Sequence, residues 1–244
     1  MNFDNLRIVL VETTHPGNLG AAARAMKNMG VRQLVLLRPS LFPHAEATAR
    51  AAGADDILAQ ARVVDSLDAA LNDCRLVMGA SARRRGLSGP ELDPRQCAIR
   101  VAEFSTRGQV ALLFGRESSG LTNDEMDRCN FLVRIPTDPA FSSLNLAAAV
   151  LVLTYELRMA AGAPCTVEIP TATRPPAQAE EMGHFYHHLE QVLLEIDFLD
   201  PANPRRLMRR LRRLFNRALP DQNEINILRG ILGAVQGRKK PSHQ

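Results

Sequence analysis

The sequence predicts an α/β protein: a parallel sheet with helices on both faces, followed by a small C-terminal helical domain. Three observations carry this expectation. Short apolar runs at Ile8–Val11, Leu34–Leu37, Leu76–Met78, Val110–Phe114 and Phe131–Ile135 read as strands. Helix-like stretches lie between them, and strands alternating with helices imply a parallel sheet covered on both sides. From Ala163 the composition shifts to proline, threonine and alanine, and the segments beyond are helical in period.

In chain order, the first run leads into His15-Pro16-Gly17-Asn18-Leu19-Gly20. Gly17 and Gly20 permit a tight turn and a close approach to a partner, Asn18 is a good helix cap, and a helix over Leu19–Met29 would carry Arg24 about a turn and a half inside it. Further helices are expected at Ala45–Ala52, Leu67–Leu71 and Thr122–Cys129. Val110–Phe114 ends in Gly115-Arg116-Glu117-Ser118-Ser119-Gly120. A guanidinium, a carboxylate and hydroxyls thus fall at a strand's C-terminal end, where open α/β sheets bind ligands. The last run passes through a polar loop, Pro136 to Ser143, into the apolar helix Leu144–Ala161. Strand, polar loop and helix N-terminus together gather backbone N–H donors around a small ligand, and Ser142 and Ser143 double as caps.

These elements give a first domain over residues 1–163, a proline-rich linker over 164–180 and a basic helical extension over 181–240. The extension's helices are expected at His184–Leu194, Pro204–Ala218 and Glu224–Val235, a thin bundle that packs on a partner. In the middle helix Leu207, Leu211, Leu214 and Ala218 are expected to face inward, with Arg206, Arg210, Arg213 and Arg217 on another face.

Composition narrows the function. At 45% hydrophobic and 23% charged residues the chain reads as an ordinary soluble protein, without an apolar run long enough for a bilayer. Met1–Asn5 lacks a basic n-region and an apolar h-region, so the expected location is the cytoplasm. Cys74, Cys97, Cys129 and Cys165 form no C-x-x-C pair and are expected as buried free thiols. His184, His187 and His188 lack the H-E-x-x-H pattern, and no metal is expected. The net charge of +4 is modest, but seven arginines crowd residues 205–217 and Arg83, Arg84 and Arg85 form a second cluster. Clustered guanidinium suits phosphate, so nucleic acid is the expected partner, with Arg83–Arg85, Arg206, Arg210 and Arg213 as its contacts.

Three segments at this spacing carry a resemblance. Asn18-Leu19-Gly20-Ala21-Ala22-Ala23-Arg24, Phe114-Gly115-Arg116-Glu117-Ser118-Ser119-Gly120-Leu121 and Ser142-Ser143-Leu144-Asn145-Leu146-Ala147 resemble, in order, the three signature motifs of the SPOUT methyltransferases. The likeness runs over roughly residues 5–160 and is greatest to the branch that methylates the ribose 2′-hydroxyl of nucleotide 32, cytidine or uridine, in the tRNA anticodon loop. It implies a trefoil-knotted sheet, which periodicity alone would not suggest. It also implies S-adenosylmethionine as cofactor, tRNA as partner and a homodimer, with the apolar helix Leu144–Ala161 long enough to supply the interface.

Carried over position by position, the resemblance assigns the cofactor to Ala80, Ser81 and Ala82, to Gly115, and to Ile135, Ser142, Ser143 and Leu144. It assigns Arg24 to the target phosphate and to deprotonation of the 2′-hydroxyl, supported by Asn18, Glu117, Ser143 and Asn145. A guanidinium is a poor base, so positioning and charge stabilisation are the easier roles for Arg24, with a phosphate oxygen or water taking the proton. Two other readings fit the same motifs: a ribosomal-RNA ribose methyltransferase, and a non-catalytic RNA-binding protein on the same fold. A dinucleotide-type methyltransferase fold is disfavoured, because no G-x-G-x-x-G follows the first strand.

Overall fold

Six consecutive buried residues form β1 (Leu6–Val11), an interior strand of the sheet. Leu6, Ile8 and Leu10 point into one core and Val9 and Val11 into another, so a strand buried on both faces shows no alternation in its sequence. The computed structural model describes residues 1–82, 90–162, 175–202 and 206–238. Six more strands complete a wholly parallel sheet: β2 (Gln33–Leu37), β3 (Arg62–Val64), β4 (Cys74–Ala80), β5 (Glu91–Leu92), β6 (Gln109–Phe114) and β7 (Phe131–Val133). Their order is β3-β2-β1-β6-β4-β7-β5. Thus β6 is inserted between β1 and β4, and β7 between β4 and β5, all strands laid down earlier, an order in keeping with the knotted fold that the resemblance implies. The C-terminal ends of β4, β6 and β7 consequently open side by side.

One face of the sheet is covered by α1 (Pro16–Met29), α2 (Ala45–Ala51), α3 (Asp55–Ala59), α5 (Pro94–Phe104) and α7 (Leu146–Gly162). The other carries α4 (Leu67–Leu71) and α6 (Asn123–Asp127). Four of these elements escape the sequence pattern: β3, β5, α5 and the short α3. β3 is an edge strand with Arg62 and Val63 exposed, and β5 has two residues, so neither makes an apolar run. The missed helix α5 does carry a start signal: Asp93 and Gln96 form a reciprocal capping box, with Pro94 at the first helical position. The strand expected to reach Ile135 ends at Val133, where its neighbour β5 ends at Leu92, and Pro136 has no N–H with which to extend a ladder.

Gly20 makes no turn but does give the expected close approach: it lies inside α1, where an added Cβ would collide with the backbone carbonyl of Ala47 on α2. The glycine sets how closely those two helices cross.

Beyond the described gap, α8 (Ala179–Glu195), α9 (Leu207–Ala218) and α10 (Gln222–Arg238) form a bundle around Phe185, Tyr186, Leu189 and Ile225. Phe185 meets Phe215 edge-on, with centroids 4.9 Å apart. The inward face of α9 differs from the expected one. Met208, Leu211, Phe215 and the buried Asn216 point inward, whereas Leu214 and Ala218 are exposed. The helix rotates because Asn216 has partners on both sides. Its Nδ2 donates to the Asp127 carbonyl at 2.7 Å, and its Oδ1 accepts from the Tyr186 hydroxyl at 2.7 Å. With Arg209 on Asp127 at 2.9 Å and Arg75 donating to the Pro176 carbonyl at 2.7 Å, this seats the bundle on the α4/α6 side of the sheet. The partner expected for the thin bundle is thus its own sheet domain.

Candidate functional site

Every candidate cofactor residue falls in one cleft. At the C-terminal ends of β4, β6 and β7, Ala80, Ser81, Ala82, Gly115, Ile135, Ser142, Ser143 and Leu144 line a space of about 270 Å³. Arg116, Glu117 and the Ser118–Leu121 turn close one side. The volume lies just under the range of about 300–1,000 Å³ usual for small-molecule sites, and the lining sets small or apolar side chains beside a few hydroxyls. Such a lining fits an adenosyl group with an amino-acid tail.

The turn after β6 owes its shape to Gly115, since an added Cβ would overlap the backbone of Gly120 and Leu121. Gly115 is therefore required by the loop that forms the wall, before any ligand is considered. A second device fixes the same loop. Arg116 is held between Glu12, at 2.7 Å, and a bidentate Glu125, at 3.0 Å to each oxygen, and Glu12 also pairs with Arg38 at 2.5 Å. Glu125 first and Glu12 second push the guanidinium pKa up, while Arg116 holds the Glu12 carboxyl below its ordinary value. Glu12 and Arg38 both have left-handed backbones (φ 46° and 45°), a strain of roughly 1–2 kcal/mol each. Sequence reading missed this network. One signal was present, the Thr122-x-x-Glu125 capping box that α6 uses.

At the rim, hydrogen bonds tie the three signature segments together. Glu117 accepts from the Thr14 N–H and hydroxyl at 3.2 Å, from the His15 N–H at 3.3 Å and from Asn18 Nδ2 at 3.0 Å. Asn18 Oδ1 in turn accepts from Asn145 Nδ2 at 2.9 Å. Asn18 is not the cap of α1. The helix starts at Pro16, and His15 caps it through Nδ1, which leaves the Asn18 amide free to bridge. Nor do Ser142 and Ser143 cap α7. Asn145 does so, its Oδ1 accepting from the Ala147 N–H at 2.9 Å, and the helix begins at Leu146.

Arg24 stands apart. It is exposed on α1, over two turns inside the helix, is not among the residues lining the cleft, and has no hydrogen bond or ion pair among the described residues. Arg83, Arg84 and Arg85 lie outside the described residues. On α9, Arg206, Arg210, Arg213 and Arg217 are exposed on one side as expected, whereas Arg209 binds Asp127 and Arg212 lies 4.8 Å above the Tyr186 ring. The α7 pattern Leu146, Val150, Leu153 and Leu157, which by itself fits an interface or an ordinary core equally well, is core. The outer side of α7 instead exposes Leu151, Tyr155 and Met159 at one-turn intervals.

Partial burial opposes ionisation of Glu117, but the hydrogen bonds from Asn18 and from the backbone outweigh it and hold the carboxyl below its ordinary value. A lowered carboxyl pKa stabilises the fold above the unfolded value, about 4.3, and that contribution disappears as the pH falls through the folded value. Glu117→Gln is therefore expected to melt below the parent at pH 7, with the gap closing as the pH drops from 5 toward 3. Thermal unfolding followed across that range checks this, and a gap independent of pH contradicts the clamp.

Comparison with known proteins extends these findings. Residues 5–155 match the model of the SpoU rRNA Methylase family, and residues 180–244 match that of the tRNA methyltransferase TrmJ C-terminal domain. The chain is 55% identical over 242 residues to the tRNA (cytidine/uridine/adenosine-2′-O-)-methyltransferase TrmJ of Pseudomonas aeruginosa, covering 96% of this chain and 94% of that protein. It is 50% identical over 239 residues to the tRNA (cytidine/uridine-2′-O-)-methyltransferase TrmJ of Pectobacterium atrosepticum, covering 96% and 97%. Among solved structures, TrmJ from Z. mobilis ZM4 superposes with a TM-score of 0.82 at 34% identity, covering 94% of this chain and 98% of that one.

Proposed function

We propose, from the premise that this chain belongs to the SpoU rRNA Methylase family, that it is an S-adenosylmethionine-dependent enzyme methylating the ribose 2′-hydroxyl of a tRNA nucleotide. The target is nucleotide 32 of the anticodon loop, as cytidine or uridine. One observation supports this most: Glu117, Asn18 and Asn145, one from each signature segment, form a single hydrogen-bonded rim beside the cleft. The match of residues 180–244 to the TrmJ C-terminal model favours tRNA over ribosomal RNA. In this division residues 1–163 are the catalytic domain and the expected extension 181–240 binds tRNA; the expected linker 164–180 is shortened at its end, because Ala177 packs in the bundle core and α8 begins at Ala179.

S-adenosylmethionine, bound in the cleft, supplies a methyl group on a sulfonium, which carries its own driving force. The chain's part is to position and to polarise. Ala80, Ser81, Ala82, Ile135, Ser142, Ser143 and Leu144 would hold the cofactor, and the Gly115 turn would form one wall of its site. Glu117 orients Asn18, and Asn18 orients Asn145, which keeps the rim rigid where the ribose enters. Arg24 grips the phosphate of the target nucleotide and stabilises charge as the hydroxyl proton leaves to a phosphate oxygen or water.

Because Arg24 is solvent-exposed and away from its own chain's cleft, it reaches the ribose across a homodimer. The outer stripe of α7 (Leu151, Tyr155, Met159) is the surface that pairs. No described helix is long and apolar enough to cross a membrane.

The function is tested by mapping ribose methylation in total tRNA from cells with and without the protein. Loss of a 2′-O-methyl group at nucleotide 32 alone is the expected result. An unchanged tRNA map beside a lost mark in ribosomal RNA would move the substrate to the ribosome.

A further inference from the structure

Among the described large apolar side chains, Phe141 is the most exposed, at 81%. It sits on the loop between β7 and α7, immediately before Ser142, Ser143 and Leu144 of the cleft. The loop is closed on itself. Asp138 Oδ1 accepts from the Ala140 N–H at 2.8 Å, the Asp138 carbonyl accepts from the Phe141 N–H at 3.0 Å, and the Thr137 hydroxyl donates to the Ser142 carbonyl at 3.3 Å. A loop pinned this way carries a phenyl ring into water one residue from the catalytic mouth. Along the loop Thr137, Asp138, Ser142 and Ser143 are polar, the exposed apolar residues beside it are Pro136, Pro139 and Leu144, and Phe141 carries the loop's one aromatic ring. A lone aromatic face beside polar side chains suits a flat partner that brings its own polar edge, and a nucleobase is such a partner.

We propose that Phe141 is the stacking platform for the base of the target nucleotide. This rests on the tRNA reading above. A 2′-hydroxyl within a stacked loop is poorly placed for in-line transfer, and the nucleotide must be turned out to bring its ribose to the cleft. The ring receives the displaced base and offsets the lost loop stacking. Consecutive Cα atoms lie about 3.8 Å apart, so a ring on residue 141 is within one nucleotide's span of a ribose held beside Ser142 and Ser143. Stacking uses the π-face that every base has, so this contact discriminates little between bases. Phe141 acts on the position of the nucleotide, not on the proton or the methyl group.

The test uses the full-length protein and a tRNA carrying 2-aminopurine at the target position, beside the unmodified tRNA. Parent activity on the unmodified tRNA is the control for the functional reading; its absence would sink that reading without bearing on the ring. Given that activity, Phe141→Ala and Phe141→Leu should each lower kcat/KM for tRNA by about tenfold or more. The dissociation constant for S-adenosylmethionine, the Tm and the salt dependence of tRNA binding should stay at parent values, since neither charge nor core is touched. Phe141→Trp should retain activity; 2-aminopurine fluorescence should rise on binding the parent as the base leaves the loop stack, be quenched by the indole of Phe141→Trp, and stay near the free-tRNA value with Phe141→Ala. Leucine matching phenylalanine would overturn the proposal, because it would reduce the contact to apolar bulk. Conversion of Phe141→Ala to a monomer in sedimentation would overturn it too, by assigning the ring to a second copy of the chain.

Discussion

Replacing Arg24 by alanine is expected to cut methyl transfer by about two to three orders of magnitude. Cofactor affinity and Tm should hold at parent values. The side chain is exposed and free of ion pairs and hydrogen bonds among the described residues, so its loss opens no cavity and strands no partner. What disappears is a forked cation where negative charge develops, and Arg24→Lys should also be poor, because one ammonium does not reproduce two parallel contacts. Mixing subunits separates the two places from which Arg24 could act. Leu144→Arg crowds the cleft from a half-exposed position and should be inactive by itself. Co-assembled with Arg24→Ala, it should restore activity, since a hybrid holds one intact cleft facing one intact arginine. If mixtures stay dead and the active parent sediments as a monomer, the arginine works within its own chain.

The second large effect concerns α9. Arg206, Arg210 and Arg213 are exposed, whereas Arg209 and Arg212 already have partners in Asp127 and Tyr186. The triple change of Arg206, Arg210 and Arg213 to Gln should lower tRNA affinity by roughly a hundredfold near 0.1 M salt. It should also reduce the slope of log K against log salt by about two, at 0.7–0.9 per phosphate contact. Cofactor binding and Tm should not move. Changing Arg209 and Arg212 instead should lower Tm, because those side chains join the bundle to the sheet domain and cover Tyr186. Filter binding over a salt series distinguishes the two sets, and an unchanged slope for the triple variant would make this helix face a solvated surface.

The contrast between those arginines shows where the sequence is legible. Period 3.6 locates α9 and groups Arg206, Arg210 and Arg213, because those features are local. It misplaces the inward face, because the rotation of the helix depends on Asn216 meeting Asp127 and Tyr186, which are far away in sequence. The catalytic half behaves alike. Apolar runs mark the longer strands, and the resemblance, carried over position by position, marks eight of the residues that line the cleft at or beyond the ends of β4, β6 and β7. Asn18 was read as a cap because local propensity favours it there, yet tertiary structure gives the cap to His15 and uses Asn18 as a bridge. The Glu12–Arg38–Arg116–Glu125 chain was invisible because three of its members come from different strand ends, and only folding brings them together.

The described cysteines supply a clock for native-state opening. Cys97 lies in the core under α5, while Cys74 and Cys129 lie in the core on the opposite face of the sheet, all at most 5% exposed. Burial pushes the Cys74 and Cys97 thiols up to about 12 and raises Cys129 as well, so none offers an alkylating reagent a thiolate at neutral pH. Each therefore reacts only when its own layer opens. With Cys165 replaced by serine, the order in which the three are modified reports which side of the sheet separates first, and whether tRNA closes one side more than the other.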